Sequence, residues 1–225
     1  MSMPFYVAPE QMMKDRADFA RKGIARGRAL VALRYVDGIA IVAENASETL
    51  RKVSEIYDRI AFAGVGKYNE FDQLRVAGVR AADLKGFQYS RDDVDARSLA
   101  NSYAQMLGNI FTHEMKPMEV EILVAEVGDE AGNDQMFHIL YDGTVVDERN
   151  HAAIGGDAEA IRAKLAERWS EGLDLAVAVR VGVEVLGAVD RQISADDLEV
   201  AELSRSNGRR CFRRVEGHEL SKLLS

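Results

Sequence analysis

A Thr, Ser or Cys that opens a β-strand can act as a nucleophile with its own α-amino group as the base. The stretch that could host such chemistry here is residues 28–44. Two short apolar runs, 28–35 and 39–44, meet there across Val36-Asp37-Gly38. An Asp-Gly step between apolar runs is a strong hairpin signal. Both runs are apolar at odd and even positions, so both faces of the hairpin are expected to be buried. Yet between positions 3 and 46 there is no Ser, Thr or Cys at all. A helix predicted directly before the first strand also leaves no free amine there. Processing would expose Gly, Ile, Ala or Arg, none of which is a nucleophile.

Other chemistry-bearing patterns fail in their own ways. Gly64-Val65-Gly66-Lys67 resembles part of a phosphate loop, but Ala61 stands where the first glycine belongs and Tyr68 where the hydroxyl belongs. A turn opening a helix is the better reading. Gly155-Gly156-Asp157 could form an anion nest at a helix start, although a tight strand-to-helix turn needs no ligand. His113, His138, His151 and His218 show no metal-binding spacing, and no G-x-S-x-G elbow is present. Lys52, in Arg51-Lys52-Val53, reads by itself as a solvated charge.

The elements that would position these residues begin with a helix over 9–22. Pro9 suits its first position, Glu10 its first turn, Arg21 and Lys22 its last, and Gly23 its C-terminal cap. Met12, Met13, Ala17, Phe19 and Ala20 give it an apolar side, and Glu10–Lys14, Lys14–Asp18 and Asp18–Lys22 are possible i,i+4 pairs. After the hairpin come a polar stretch over 47–57, a strand at 60–63, and helices after Lys67 and after Asp92-Asp93. Strands follow at 119–127, 135–141, 144–147 and 152–154, then helices at 158–171 and 174–191. A last hairpin joins 198–203 to 211–215 across Asn207-Gly208, and 218–224 suits a short final helix. Hairpins at both ends, with helix pairs between, suit an α+β fold of two antiparallel sheets between two helical layers.

Composition narrows the function further. The 225 residues are 47% hydrophobic, with three prolines and no linker-like stretch, so one domain is expected over 10–225. A net charge of -8 argues against nucleic acid or an anionic membrane as main partner. Arg209, Arg210, Arg213 and Arg214 form the one basic cluster, expected as solvated arginines on an edge hairpin. The single cysteine, Cys211, fits a reducing cytoplasm. No apolar run is long enough to span a bilayer, and no secretion signal is visible. Residues 1–9 carry no charged side chain and are expected to pack on something.

Several segments together resemble the α-type subunits of 20S proteasomes of the bacterial, actinobacterial kind. They are Val7-Ala8-Pro9-Glu10-Gln11-Met12, Ala20-Arg21-Lys22-Gly23-Ile24-Ala25-Arg26, Val42-Ala43-Glu44-Asn45 and Ile56-Tyr57-Asp58-Arg59. Gly66-Lys67-Tyr68-Asn69-Glu70-Phe71-Asp72, Leu99-Ala100-Asn101 and Lys116-Pro117-Met118-Glu119-Val120-Glu121 continue the likeness, as do Val124-Ala125-Glu126-Val127 and Tyr141-Asp142-Gly143. The resemblance runs from Met1 to at least Leu186. Archaeal and eukaryotic relatives carry a longer segment before the first helix.

The resemblance implies a four-layer α/β/β/α sandwich of the N-terminal-nucleophile hydrolase type, with an extra N-terminal helix. It also implies a non-catalytic subunit that needs no cofactor and no metal. Seven copies would form a ring on a ring of β subunits holding the threonine proteases. A ring-shaped ATPase activator would dock through its C-terminal tails, and unfolded proteins would pass through. Met3, Pro4, Phe5, Tyr6, Val7, Ala8 and Pro9 would form the gate, and Met12, Met13 and Phe19 would face a neighbouring subunit. Lys52 would receive the activator tail in a pocket walled by Gly66 and Lys67, where Lys67 replaces a leucine-like residue of the archaeal pattern. Two alternatives stay open: an active peptidase or amidohydrolase of the same fold, and a ligand-binding domain built on Gly155-Gly156.

Overall fold

The central hairpin forms as expected. In the computed structural model, which describes residues 8–187 and 193–225, β1 (Leu30–Tyr35) pairs antiparallel with β2 (Gly38–Glu44). Their register sets Leu30 opposite Ala43 and Tyr35 opposite Gly38. Gly38 lies so close to the Leu203 carbonyl that a Cβ would sit 1.9 Å from its oxygen. Only glycine fits that turn.

Before the hairpin stands α1 (Pro9–Ala25). After it come β3 (Val53–Tyr57), β4 (Ile60–Gly66), α2 (Tyr68–Gln88), α3 (Ala96–His113), β5 (Val120–Glu126) and β6 (Gln135–Ile139). Then follow β7 (Val145–Glu148), β8 (His151–Ile154), α4 (Ala158–Arg168), α5 (Leu175–Leu186), β9 (Leu198–Ser204), β10 (Phe212–Val215) and α6 (Gly217–Leu224). One sheet has the order β10-β9-β2-β1-β8 and the other β3-β4-β5-β6-β7.

The unbroken apolar runs now have a reason. Strand side chains alternate between faces, and each central strand serves two cores. Leu30, Ala32, Ile39 and Ile41 meet Ala61, Ala63, Leu123 and Ala125 between the sheets. Val31, Leu33, Ala40 and Val42 face the other way, onto Ile161, Leu165, Ala178 and Val179 of α4 and α5. Ile60, Phe62, Ile122 and Val124 likewise face Phe71, Leu74, Tyr103 and Leu107 of α2 and α3. The result is the four-layer α/β/β/α sandwich with the added helix α1. Asp95, Asp157 and Asp174 cap α3, α4 and α5 by accepting from backbone N–H groups three residues on.

Several local expectations are corrected. Gly23 does not end α1; a Cβ there would lie 2.2 Å from the Glu119 carboxylate, so this glycine serves close packing. None of the three i,i+4 pairs expected on α1 is among the ion pairs of the described residues; Gln11 donates to Asp15, and Arg21 pairs with Asp18. Residues 64–66 finish β4 instead of opening a helix, and Val53–Tyr57 is a strand. α5 ends at Leu186, while 188–192, part of the expected span, lie outside the described residues. The four arginines do lie on the edge strand and its turn, but each is paired: Arg209 with Asp58, Arg210 with Glu55, Arg213 with Glu202 and Glu219, and Arg214 with Glu199.

Candidate functional site

The chain passes from α1 into β1 through Arg26, Gly27, Arg28 and Ala29 without a break. Gly27 donates to the Ile24 carbonyl at 2.8 Å, and Gly156 donates to Gly27 at 3.1 Å. A Cβ at Gly27 would meet Val65 at 2.7 Å and the Gly66 nitrogen at 3.1 Å. The entrance to β1 is thus wedged between the end of β4 and the start of α4. A recess of about 430 Å³ opens beside it, lined by Arg26, Arg28, Glu44, Asp157 and Lys164 among others. Among the described residues, its lining holds no Ser, Thr, Cys or His. No hydroxyl or thiol stands at the entrance to β1, and the residue before β1 has an amide where a free amine would be needed.

The glycine pair after β8 is also spent. Gly155 and Gly156 have φ values of +74° and +54°, a turn that favours glycine. The Gly156 N–H that an anion would need already serves Gly27. Gly64, Val65 and Gly66 pair with Ile122, Glu121 and Val120 as a regular ladder, so they cradle no phosphate. Among the described residues, no cluster of side chains is suited to a metal ion, and no helix is long and apolar enough to cross a membrane.

Lys52 lies half-buried where the chain enters β3. Its Nζ donates to the Arg28 carbonyl at 2.6 Å, and Arg28 itself pairs with the buried Glu44. Burial pulls the Lys52 ammonium down to about 8, Glu199 and Glu44 hold it up, and Arg28 lowers it further. The Lys52 carbonyl accepts from Gly64 at 3.0 Å, which ties it to β4 two residues before Gly66. Lys52 and Gly66 therefore belong to one end of the sandwich, joined through Gly27 and Arg28.

Gly66 has φ +110°, and a Cβ there would fall 1.9 Å from the Glu119 carbonyl oxygen. Lys67 caps the entry to α2, donates its N–H to the same carbonyl at 3.0 Å, and sets its Nζ on the Glu119 carboxylate. Lys116 reaches that carboxylate at 3.0 Å and Glu70 at 2.8 Å. Burial pushes the Glu119 carboxyl up, but the two lysines outweigh it and hold it below the usual range. The Lys67 charge is thus engaged inside the subunit, on the Glu119 carboxylate.

On α1, Ala20 and Ile24 face inward onto Tyr141, with Phe111 beside them. Met12 is 43% and Phe19 46% exposed, and Met13 is half-buried. Of the seven expected gate residues, Ala8 and Pro9 are described and stand at the start of α1; Met3, Pro4, Phe5, Tyr6 and Val7 lie outside the described residues.

Sequence reasoning missed Glu119 and Glu199 as organisers of this end. Each is a carboxylate that is nearly fully buried. The available signal was an acid standing where both strand faces are covered.

Comparison with known proteins agrees with the geometry. Residues 24–203 match the model of the family described as Proteasome subunit. Over its whole length the chain is 59% identical to a proteasome subunit alpha of Kineococcus radiotolerans, covering 99% of that protein. It is 61% identical over its whole length to one from Acidimicrobium ferrooxidans, covering 97% of it, and 57% to one from Acidothermus cellulolyticus, covering 98%.

Proposed function

The chain belongs to the proteasome subunit family, and from that premise we propose that it is a non-catalytic α-type subunit of a cytoplasmic 20S particle. Seven copies form an outer ring, stack on a ring of β subunits that carry the threonine nucleophiles, and control the entry of unfolded proteins. The observation that carries this reading is the entrance to β1. Where an active member of the fold would need a hydroxyl or thiol on a free amine, this chain has Gly27-Arg28-Ala29 in continuous backbone after a helix.

Residues 1–9 act as the gate, with Met3, Pro4, Phe5, Tyr6, Val7, Ala8 and Pro9 meeting their copies near the ring axis, and 10–225 form the ring domain. Lys52 receives the terminal carboxylate of an activator tail. Gly66 and Lys67 shape the wall beside it, and Met12, Met13 and Phe19 lie against the adjacent subunit. An ammonium that donates to a backbone carbonyl can exchange that neutral acceptor for a charged one, which makes the stronger bond.

The test is to purify the chain alone and together with a matching β subunit, then follow native mass, peptide hydrolysis and labelling by a threonine-directed inhibitor. The isolated chain should neither hydrolyse peptide nor take label, and the mixture should do both as a large ring assembly. Stoichiometric label on residues 23–28 of this chain would instead establish the amidohydrolase alternative.

A further inference from the structure

Glu199 lies on β9 and is only 3% exposed. A carboxylate buried in a sandwich is tolerated when its oxygens are matched by donors, and here four converge on it. One oxygen accepts from the Lys52 N–H at 2.8 Å and from Asn45 Nδ2 at 2.8 Å. The other accepts from the Val53 N–H at 3.1 Å and from Arg214 Nη1 at 2.8 Å. Arg214 closes the clamp by donating to the Val53 carbonyl at 2.6 Å. A carboxylate from one sheet thus grips two consecutive peptide N–H groups at the edge of the other. One of those peptides belongs to Lys52.

We infer that Glu199 is the positioning residue for Lys52: it fixes the peptide from which the side chain departs. With the Lys52 carbonyl taken by Gly64, the backbone is held from both sides. The side chain then has one supported path, to the Arg28 carbonyl. The charges acting on that ammonium are Glu199 from β9, Glu44 from the end of β2 and Arg28 from the approach to β1, while Arg214 from β10 pairs with Glu199. Arg51, beside Lys52, is paired with Glu216 at 3.2 Å. Glu199, together with Glu44, offsets part of the lowering that burial and Arg28 impose on the Lys52 ammonium. The functional part of this inference rests on the docking role proposed for Lys52; the positioning part does not.

The experiment therefore has two readouts on particles assembled with β subunits. The first is the pH dependence of Lys52 acetylation by a limiting amine-directed reagent, followed by mass spectrometry. Glu199→Gln removes the charge, so the midpoint should move to lower pH; in Glu199→Asp the charge remains and the midpoint should stay. The second is affinity for a short peptide ending in a free carboxylate, with its amidated twin as control. Both variants should weaken the free-acid peptide by about fivefold, the scale of one hydrogen bond. Asp is too short to grip both peptides.

Neither substitution should weaken binding further in a Lys52→Ala background, because a positioning residue acts through the lysine. An unmoved acetylation midpoint in Glu199→Gln, or losses that simply add to that of Lys52→Ala, would overturn the inference and leave Glu199 a sheet-to-sheet clamp. If Glu199→Gln fails to fold, Glu199→Asp decides: it keeps the Arg214 pair, and wild-type peptide affinity there would overturn the inference. If Lys52→Ala binds the free-acid peptide as well as wild type, the docking reading falls, and the midpoint alone decides whether Glu199 governs Lys52.

Discussion

At Lys52, a residue with an ordinary surface label turns out to be constrained in backbone, side chain and charge. A charge-assisted hydrogen bond is worth roughly 1.5–3 kcal/mol, and ~1.4 kcal/mol is a factor of ten in affinity. Lys52→Ala should therefore weaken each tail by about 10- to 150-fold, measured as the dissociation constant of a free-acid tail peptide. Lys52→Arg should keep part of the affinity, since charge survives while the compact donor geometry changes. The same site gives a pH dependence. Docking needs the ammonium, which free Lys52 loses near pH about 8, so affinity should hold below that pH and fall as pH rises through it. A docked carboxylate favours the proton, so the midpoint measured with saturating peptide should lie higher. Affinity unchanged well above pH about 8 would exclude the lysine. Gly66 offers a test of shape instead of charge. With φ +110° and a backbone oxygen 1.9 Å from a new Cβ, Gly66→Ala must strain the end of β4. Such strain is of order 1–3 kcal/mol, and a chain of this size loses ~2–4 °C in Tm per kcal/mol. A calorimetric Tm lowered by several degrees is expected, and an unchanged Tm would contradict this geometry.

Among the elements, α1 shows most clearly what sequence can and cannot tell. Its existence follows from Pro9, Glu10 and the basic last turn, and α1 indeed starts at Pro9. Its end was misjudged because Gly23 looked like a cap, whereas the glycine is there to let Glu119 come close. That contact joins residues nearly a hundred positions apart and leaves no local trace. β3 was missed for a related reason. As an edge strand with Ser54 and Glu55 half-exposed, it lacks the continuous apolar run that marks β1, β2 and β4. The central strands were legible because burial on both faces writes an unbroken pattern; the clamp of Glu199 on Lys52 and Val53 was not, because it crosses between sheets. α1 also carries a prediction. Its inward residues Ala20 and Ile24 anchor it to the subunit, while Met12 and Phe19 remain open to water. Large exposed apolar side chains on a helix point to a partner surface. Met12→Ser with Phe19→Ser should leave the Tm of the isolated chain nearly unchanged yet reduce ring formation with β subunits, read by native mass. Undiminished rings would make α1 only a cover for its own sandwich.

At the scale of the whole molecule, the proposed ring of seven copies would bring seven uncharged tails to one place. Met1 to Ala8 can reach at most about 29 Å from the start of α1, at ~3.3–3.6 Å per residue. Ordering a residue costs about 1–2 kcal/mol of backbone entropy, so eight of them cost ~8–16 kcal/mol per copy. At about 25 cal/mol per Å², offsetting this takes ~320–640 Å² of apolar burial in each tail. Phe5 and Tyr6 together can supply ~300–500 Å², and Met1, Met3 and Val7 the rest. A gate built this way is close to balance. Small losses of apolar area should open it, and a docked activator need bias it only slightly. Deleting residues 1–8 should leave assembly intact, because α1 keeps its inward anchors Ala20 and Ile24. It should raise the rate at which particles hydrolyse short fluorogenic peptides, with the β subunits unchanged. Phe5→Ala with Tyr6→Ala should do most of the same without shortening the chain, since those two rings can supply most of the apolar area. Neither change should alter hydrolysis by β subunits already opened with detergent or activator, because entry is then no longer limiting. Equal rates for full-length and trimmed particles would remove the gate from residues 1–9 and leave the apolar tail to be explained by contacts elsewhere on the ring.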